Sequence, residues 1–211
     1  MERGKPIVII EHLEEYISIW LFLEYRSSSL IYGKEYLWFT NIPFKYNRLL
    51  SKYGRVFNKS IIELINDQFI KSNEVIILDP SSSKNLEYGD LIKYKYVVIG
   101  GIMGDHPPRG RTKKLISDKL PVVETRKIGD KQYSIDGSVY YVNYMWNHRD
   151  MSSYRYVDGV ELTGESGSIY LPYRYPLEEG KPRITPGLVD YLLYGKLHDS
   201  IRREIFEENV E

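Results

Sequence analysis

The sequence predicts an α/β fold built on a mostly parallel sheet, and three observations predict it. The runs "IVII" at 7–10, "VIIL" at 75–78 and "YVVI" at 96–99 are continuously apolar and rich in β-branched residues, the pattern of strands buried on both faces; half-exposed strands alternate instead. Stretches with helical spacing lie between and after these runs, and strand–helix alternation favours a parallel sheet. At 211 residues, with 42% hydrophobic and 27% charged residues, the chain holds one full core. We read 1–211 as a single domain, with 155–211 as a C-terminal extension laid over the body.

Taken in order, the first run ends at Glu11 and His12. Residues 13–25 predict a helix whose polar stripe is narrow: Glu14, Glu15 and Ser18, interrupted by Phe22, so its neighbours cover most of it. "EYLWFT" at 35–40 is a weaker strand. "NKSIIELIND" at 58–67 predicts a short helix with Ile61, Ile62 and Ile65 on one face. The second run ends in Asp79-Pro80 and the third in glycines. A helix follows near Lys113, with Thr112 as its N-cap, and "PVVET" at 121–125 is another weak strand. Ile135, Val139, Val142 and Trp146 recur at helical spacing and predict a helix over 135–147. Residues 155–185, rich in Gly, Pro and Tyr, predict a short hairpin or extended segment. Leu188 and Leu192, then Leu197, Ile201 and Ile205, give two short helices broken near Gly195.

Composition narrows the function. Lys plus Arg and Asp plus Glu number 29 each, which removes the bulk-charge case for a nucleic-acid binder. The chain has no cysteine, hence no disulfide, thiolate metal site or cysteine nucleophile. The histidines at 12, 106, 148 and 198 lack metal-ligand spacing, and no metal is expected. Gly101 and Gly104 supply only the second half of a dinucleotide fingerprint; a phosphate loop and a serine-hydrolase elbow are both missing. The apolar stretch at 16–25 is too short to span a bilayer, so the expected location is cytoplasmic, with no membrane partner. Only Gln68 and Gln132 are glutamines among many charges, a compositional hint of a thermophilic source.

Ligands of open parallel sheets bind at the carboxyl ends of the strands. Three segments stand there: "EHLEE" after the first run, "LDPSSS" after the second and "GGIMGDHPPRGRT" at 100–112 after the third. Each has an ordinary explanation, since Asp79 suits a turn, Glu11 and His12 a helix start, and glycines a change of direction. The third is over-specified for a connection, which needs two to six residues.

With "IIEHLEE" at 9–15, "ILDP" at 77–80, "VVIGGIMGDHPPRGRT", "RKIGDKQYSIDGSV" at 126–139 and "LPYRYPLEEGKP" at 171–182, the chain resembles the SPOUT superfamily of S-adenosylmethionine-dependent methyltransferases. Within it, the resemblance is to the branch holding a fungal protein-arginine methyltransferase that modifies a ribosomal protein; archaeal relatives are described as predicted RNA methyltransferases. The resemblance implies a parallel sheet with a C-terminal trefoil knot, a topology nearly absent elsewhere, and a frequent homodimer; the apolar 13–25 helix suits either that pairing or packing within one subunit. It implies that Leu78, Asp79 and Pro80, then Gly100, Gly101, Ile102, Met103, Gly104 and His106, then Ile128, Gly129, Lys131, Gln132 and Tyr133 hold the cofactor. Glycines let the main chain approach the ligand, with Ile102 and Met103 as an apolar floor.

If the acceptor is arginine, a carboxylate must orient the guanidinium and accept a proton. Asp105 is the first candidate and Glu11 the second, although Asp105 also suits a loop-amide role. Arg109, Arg111 and Arg174 are candidates for holding substrate; the first two equally suit a solvated helix start, though a helix dipole disfavours cations there. The expected activity is methylation of a ribosomal protein arginine. Methylation of ribosomal or transfer RNA, or a non-catalytic ribosome-associated module, are the alternatives.

Overall fold

Continuous β-branched runs become central strands because both of their faces can be covered. In the computed structural model, which describes residues 4–104, 107, 109–165 and 167–206, β1 (Ile7–His12), β4 (Val75–Leu78) and β5 (Tyr96–Gly101) contain these runs. Together with β2 (Leu37–Thr40), β3 (Arg55–Val56) and β6 (Glu124–Arg126) they form a six-stranded sheet in the order β3-β2-β1-β5-β4-β6, parallel at every pairing. The predicted α/β class with a parallel sheet is thus observed. Side chains alternate between two cores, Val8, Ile10, Phe39, Ile76, Val97 and Ile99 on one face and Ile9, Trp38, Ile77 and Val98 on the other.

The first core is covered by α1 (Ile19–Tyr32) and α6 (Ile135–His148), which pack on each other. The predicted 13–25 helix is shifted: Ser18 has extended backbone and its hydroxyl caps Leu21 N–H at 3.2 Å, so the helix starts at Ile19. Leu21, Phe22, Leu23 and Tyr25 are buried inside this chain, while Tyr16 is exposed. α6 begins as predicted, capped by Ser134 on Gly137 N–H at 3.1 Å.

On the other face α3 (Ile61–Asn66) packs through Ile61 and Leu64. It is started by a capping box in which Ser60 Oγ accepts from Glu63 N–H and Glu63 Oε2 from Ser60 N–H. Ser60→Ala should lower stability by about 1 kcal/mol in urea titration; an unchanged midpoint would show that α3 is held by packing alone. α2 (Asn47–Leu50), α4 (Tyr88–Lys93) and β3 are short elements that the sequence pattern does not announce. α5 (Arg111–Leu115) has Gly110, in left-handed conformation, as its N-cap, which places Thr112 inside the helix and corrects the expected Thr112 cap.

The 155–185 stretch forms a long antiparallel hairpin, β7 (Tyr156–Gly164) with β8 (Gly167–Glu178), completed by β9 (Lys181–Pro182). Trp20 packs against its small core of Leu162, Leu171, Tyr173 and Tyr175. The helices α7 (Leu188–Tyr194) and α8 (Asp199–Phe206) follow, separated at Gly195 as expected. Among the described residues no helix is long and apolar enough to cross a membrane.

Candidate cofactor cleft and its side recess

Register brings three strand ends into line. Leu78 pairs with Ile99 on one side and with Arg126 on the other, so the segments leaving β4, β5 and β6 open at one edge. Between them lies a cleft of about 720 Å³, counting its open mouth. Leu78, Asp79 and Pro80 come from the first segment, Gly100, Ile102 and Gly104 from the second, and Ile128, Gly129, Lys131, Gln132 and Tyr133 from the third. Ile99, Thr112, Lys127, Ile135 and Ser138 also line it; the sequence reading did not include them because they belong to neighbouring strands and helices.

Each segment is fixed before any ligand arrives. Asp79, buried at the end of β4, accepts from Ser81 N–H at 2.9 Å, Ser81 Oγ at 2.6 Å and Ser117 Oγ at 2.6 Å. That makes it a turn organiser at the wall of the cleft. Glu14, unassigned by the sequence reading, holds the glycine segment: its Oε1 accepts from Met103 N–H and Arg111 Nη1, both at 2.9 Å, and Arg111 Nη2 donates to Met103 O. Arg111 thus lines the cleft while clamping its loop. The third segment runs beside β8, where Arg174 N–H donates to Gln132 O at 2.7 Å.

Several predicted site residues stand elsewhere. Gly101 is buried and faces inward: a Cβ there would lie 2.5 Å from the Tyr25 hydroxyl and 2.8 Å from Glu11 O. Its bareness serves the core beneath, and it is not among the residues that line the cleft. Met103 turns away from the main cleft into a smaller side recess, with Ser18 Oγ 3.7 Å from its sulfur. Glu11 is buried beside α3; Thr40 Oγ1 donates to its Oε2 at 2.5 Å and Ile61 N–H to the same atom at 2.9 Å. Burial pushes its proton affinity up to about 7, against the lowering effect of these two bonds. It lies outside the cleft lining, a position that suits a helix-start acceptor better than a base. Arg174 makes a bidentate pair with Asp158 at 2.6 and 2.8 Å and lies 3.8 Å from the Tyr156 ring centre; that hydrogen bond holds Asp158 below the ordinary carboxylate range. Its guanidinium is engaged with the hairpin and stands behind Gly129, where a Cβ would lie 2.9 Å from Arg174 Nη1. Arg109 is exposed at the cleft rim. Asp105 and His106 lie outside the described residues.

The lining suits an adenosyl nucleoside with an amino-acid tail. Leu78, Ile99, Ile102, Ile128 and Ile135 give flat apolar surface, main chain borders it on three sides, and Arg109 and Lys131 offer positive charge for a carboxylate. A Cβ on Gly100 would stand 3.0 Å from Thr112 Oγ1, beside another lining residue, so a side chain there would crowd the cradle. No cluster of three His, Asp or Glu able to hold a metal exists among the described residues.

Beside the cleft lies a narrow recess, about 210 Å³ counting its open side, sharing Ile102, Gly104, Tyr133 and Ile135 with it and lined further by Trp20, Glu24, Met103, Ser134 and Tyr173. Glu24, on α1, is buried there; it accepts from Trp20 Nε1 at 2.6 Å and from Ile135 N–H at 2.8 Å. Its signal in the sequence was a lone acid inside the apolar run "WLFLEY".

Comparison with known proteins agrees with this geometry. Protein arginine N-methyltransferase SFM1 of Saccharomyces cerevisiae is 32% identical over 197 residues, spanning 87% of this chain and 92% of the yeast protein. The crystal structure of yeast SFM1 complexed with S-adenosylmethionine superposes with a TM-score of 0.81 at 30% identity, covering 92% of this chain and 93% of that one. The crystal structure of a dual specific Trm10 from Thermococcus kodakaraensis shares the fold, with a TM-score of 0.52 at 20% identity over 66% of this chain and 91% of its own. The model of the SFM1-like protein arginine N-methyltransferases matches residues 7–197, and the chain belongs to that family.

Proposed function

We propose that this protein transfers a methyl group from S-adenosylmethionine to an arginine side chain of a ribosomal protein. The observation that carries the reading is the three-segment cleft at the ends of β4, β5 and β6, in a chain similar throughout to an arginine methyltransferase whose structure holds that cofactor. When bound, S-adenosylmethionine supplies a methyl group on a sulfonium centre. The main chain at Gly100, Ile128 and Gly129 and the apolar side chains around it hold the adenosyl part, while Arg109 and Lys131 take the carboxylate.

Most of the rate gain from such a site comes from fixing donor and acceptor in line and excluding water, worth about 7–11 kcal/mol at best. The arginine nitrogen gains an N–C bond and must lose a proton, and Asp105, next in sequence after Gly104, is the proposed acceptor. The same reading includes the knot. β6 lies outside β4 in the sheet, and Leu86 N–H donates to Lys127 O at 2.9 Å. The chain leaving β6 therefore runs beside the segment that follows β4 before reaching α6.

Incubation with labelled S-adenosylmethionine and either stripped small-subunit ribosomal proteins or ribosomal RNA tests the proposal. Label in a protein band, recovered as methylarginine after hydrolysis, is the expected result. Label in RNA alone would overturn the arginine assignment, and no cofactor binding would overturn the enzyme.

A further inference from the structure

We propose that the side recess is the acceptor subsite, in which Glu24 receives the cationic guanidinium of the substrate arginine. This rests on the methyltransferase reading above. The recess shares Ile102, Gly104, Tyr133 and Ile135 with the cofactor cleft, so a group held in it lies within a residue's thickness of whatever occupies the cleft. Three of its walls are aromatic, Trp20, Tyr133 and Tyr173, and rings stabilise a planar cation by its faces. Tyr173 is fixed in place by donating its hydroxyl hydrogen to Gly104 O at 2.8 Å.

Glu24 is the chemical reason for a cation. A buried carboxylate is ordinarily matched by a positive partner. Here both contacts come from neutral donors, the Trp20 indole and the Ile135 amide, one to each oxygen. Among the described residues no Lys, Arg or His forms an ion pair with it; the nearby guanidinium of Arg183 pairs with Asp136 at 3.2 Å instead. Burial first, and the neighbouring Asp136 second, push the proton affinity of Glu24 up to about 8. Without a cation the folded chain keeps that proton at neutral pH; an arriving guanidinium would release it to solvent, and the carboxylate oxygens, each with acceptor capacity to spare, would receive its charge-assisted donors. Lysine, a compact and strongly hydrated ammonium, fits flat aromatic walls less well.

The Trp20 indole N–H, bonded to Glu24, is a built-in reporter. Its resonance can be assigned by comparison with Trp20→Phe, since the chain has only three tryptophans. Full-length protein saturated with S-adenosylhomocysteine is titrated with ethylguanidinium, with neutral ethylurea and with ethylammonium as controls. The expected result is a saturable shift of the Trp20 indole with ethylguanidinium alone, weakened about 10- to 100-fold in Glu24→Gln; S-adenosylhomocysteine affinity is unchanged. An equal response to ethylurea, or an undiminished response in a folded Glu24→Gln variant, would overturn the subsite. The wild-type arm does not depend on the variant folding: S-adenosylhomocysteine binding with no guanidinium response overturns the subsite alone. Failure of S-adenosylhomocysteine to bind overturns the methyltransferase reading and the subsite with it.

Discussion

Gly101→Val is expected to unfold the protein as well as deprive it of activity, with a loss of about 3 kcal/mol or more. A Cβ at this position would meet the Tyr25 hydroxyl at 2.5 Å, Glu11 O at 2.8 Å and Ile10 Cγ2 at 3.0 Å. Two of these cannot yield. Glu11 O belongs to the adjoining strand of the sheet, and Tyr25, fully buried, shares a 2.9 Å hydrogen bond with His12 Nδ1. Valine adds two methyl groups to a contact that alanine already violates, so Gly101→Ala should fall between wild type and valine in thermal melting. Wild-type melting of the valine variant would mean that Tyr25 does not lie beneath the loop.

The strands were legible because β-branched runs have few other uses: all three central predictions fall on observed strands. The start of α1 was misplaced for an identifiable reason. Glu14, Glu15 and Ser18 look like the polar stripe of a helix, but Ser18 is its cap and Glu14 a clamp on Met103 and Arg111. Spacing cannot separate a stripe from a cap followed by a helix. The cleft was legible through the resemblance, whose three segments fall on its lining. At Gly101 glycine marks a close approach, but sequence does not say that Tyr25 and Glu11 O are the close neighbours. Glu24 was missed because an acid in a helix is usually solvated, and only packing shows that α6 and the hairpin enclose it.

Glu11→Gln is the second variant with a large expected effect, this time a gain. Both hydrogen bonds to Glu11 end on Oε2, so a glutamine carbonyl oxygen at that atom keeps them. The wild-type carboxyl is raised from 4.5 to about 7, chiefly by burial. Below pH 4.5 the group is protonated in both folded and unfolded chains, and its stabilising contribution is fully present. Between pH 4.5 and 7 the unfolded chain releases a proton that the folded chain retains, so stability falls as pH rises, by about 3 kcal/mol for this group. Glutamine does not titrate. Denaturant titrations of Glu11→Gln should therefore show a shallower decline across that window, and a variant more stable than wild type at pH 8. Some slope remains from Glu24, raised in the same direction to about 8. An identical pH profile would refute the assigned environment. A Glu11→Gln protein that binds S-adenosylhomocysteine normally yet transfers no methyl group would return Glu11 to the role of proton acceptor.

The hydrogen bond from Arg174 N–H to Gln132 O joins the late hairpin to a loop made some forty residues earlier. A polypeptide still emerging from the ribosome lacks that support until β8 has been synthesised. Truncations that stop before the hairpin would leave the sheet without a finished binding pocket.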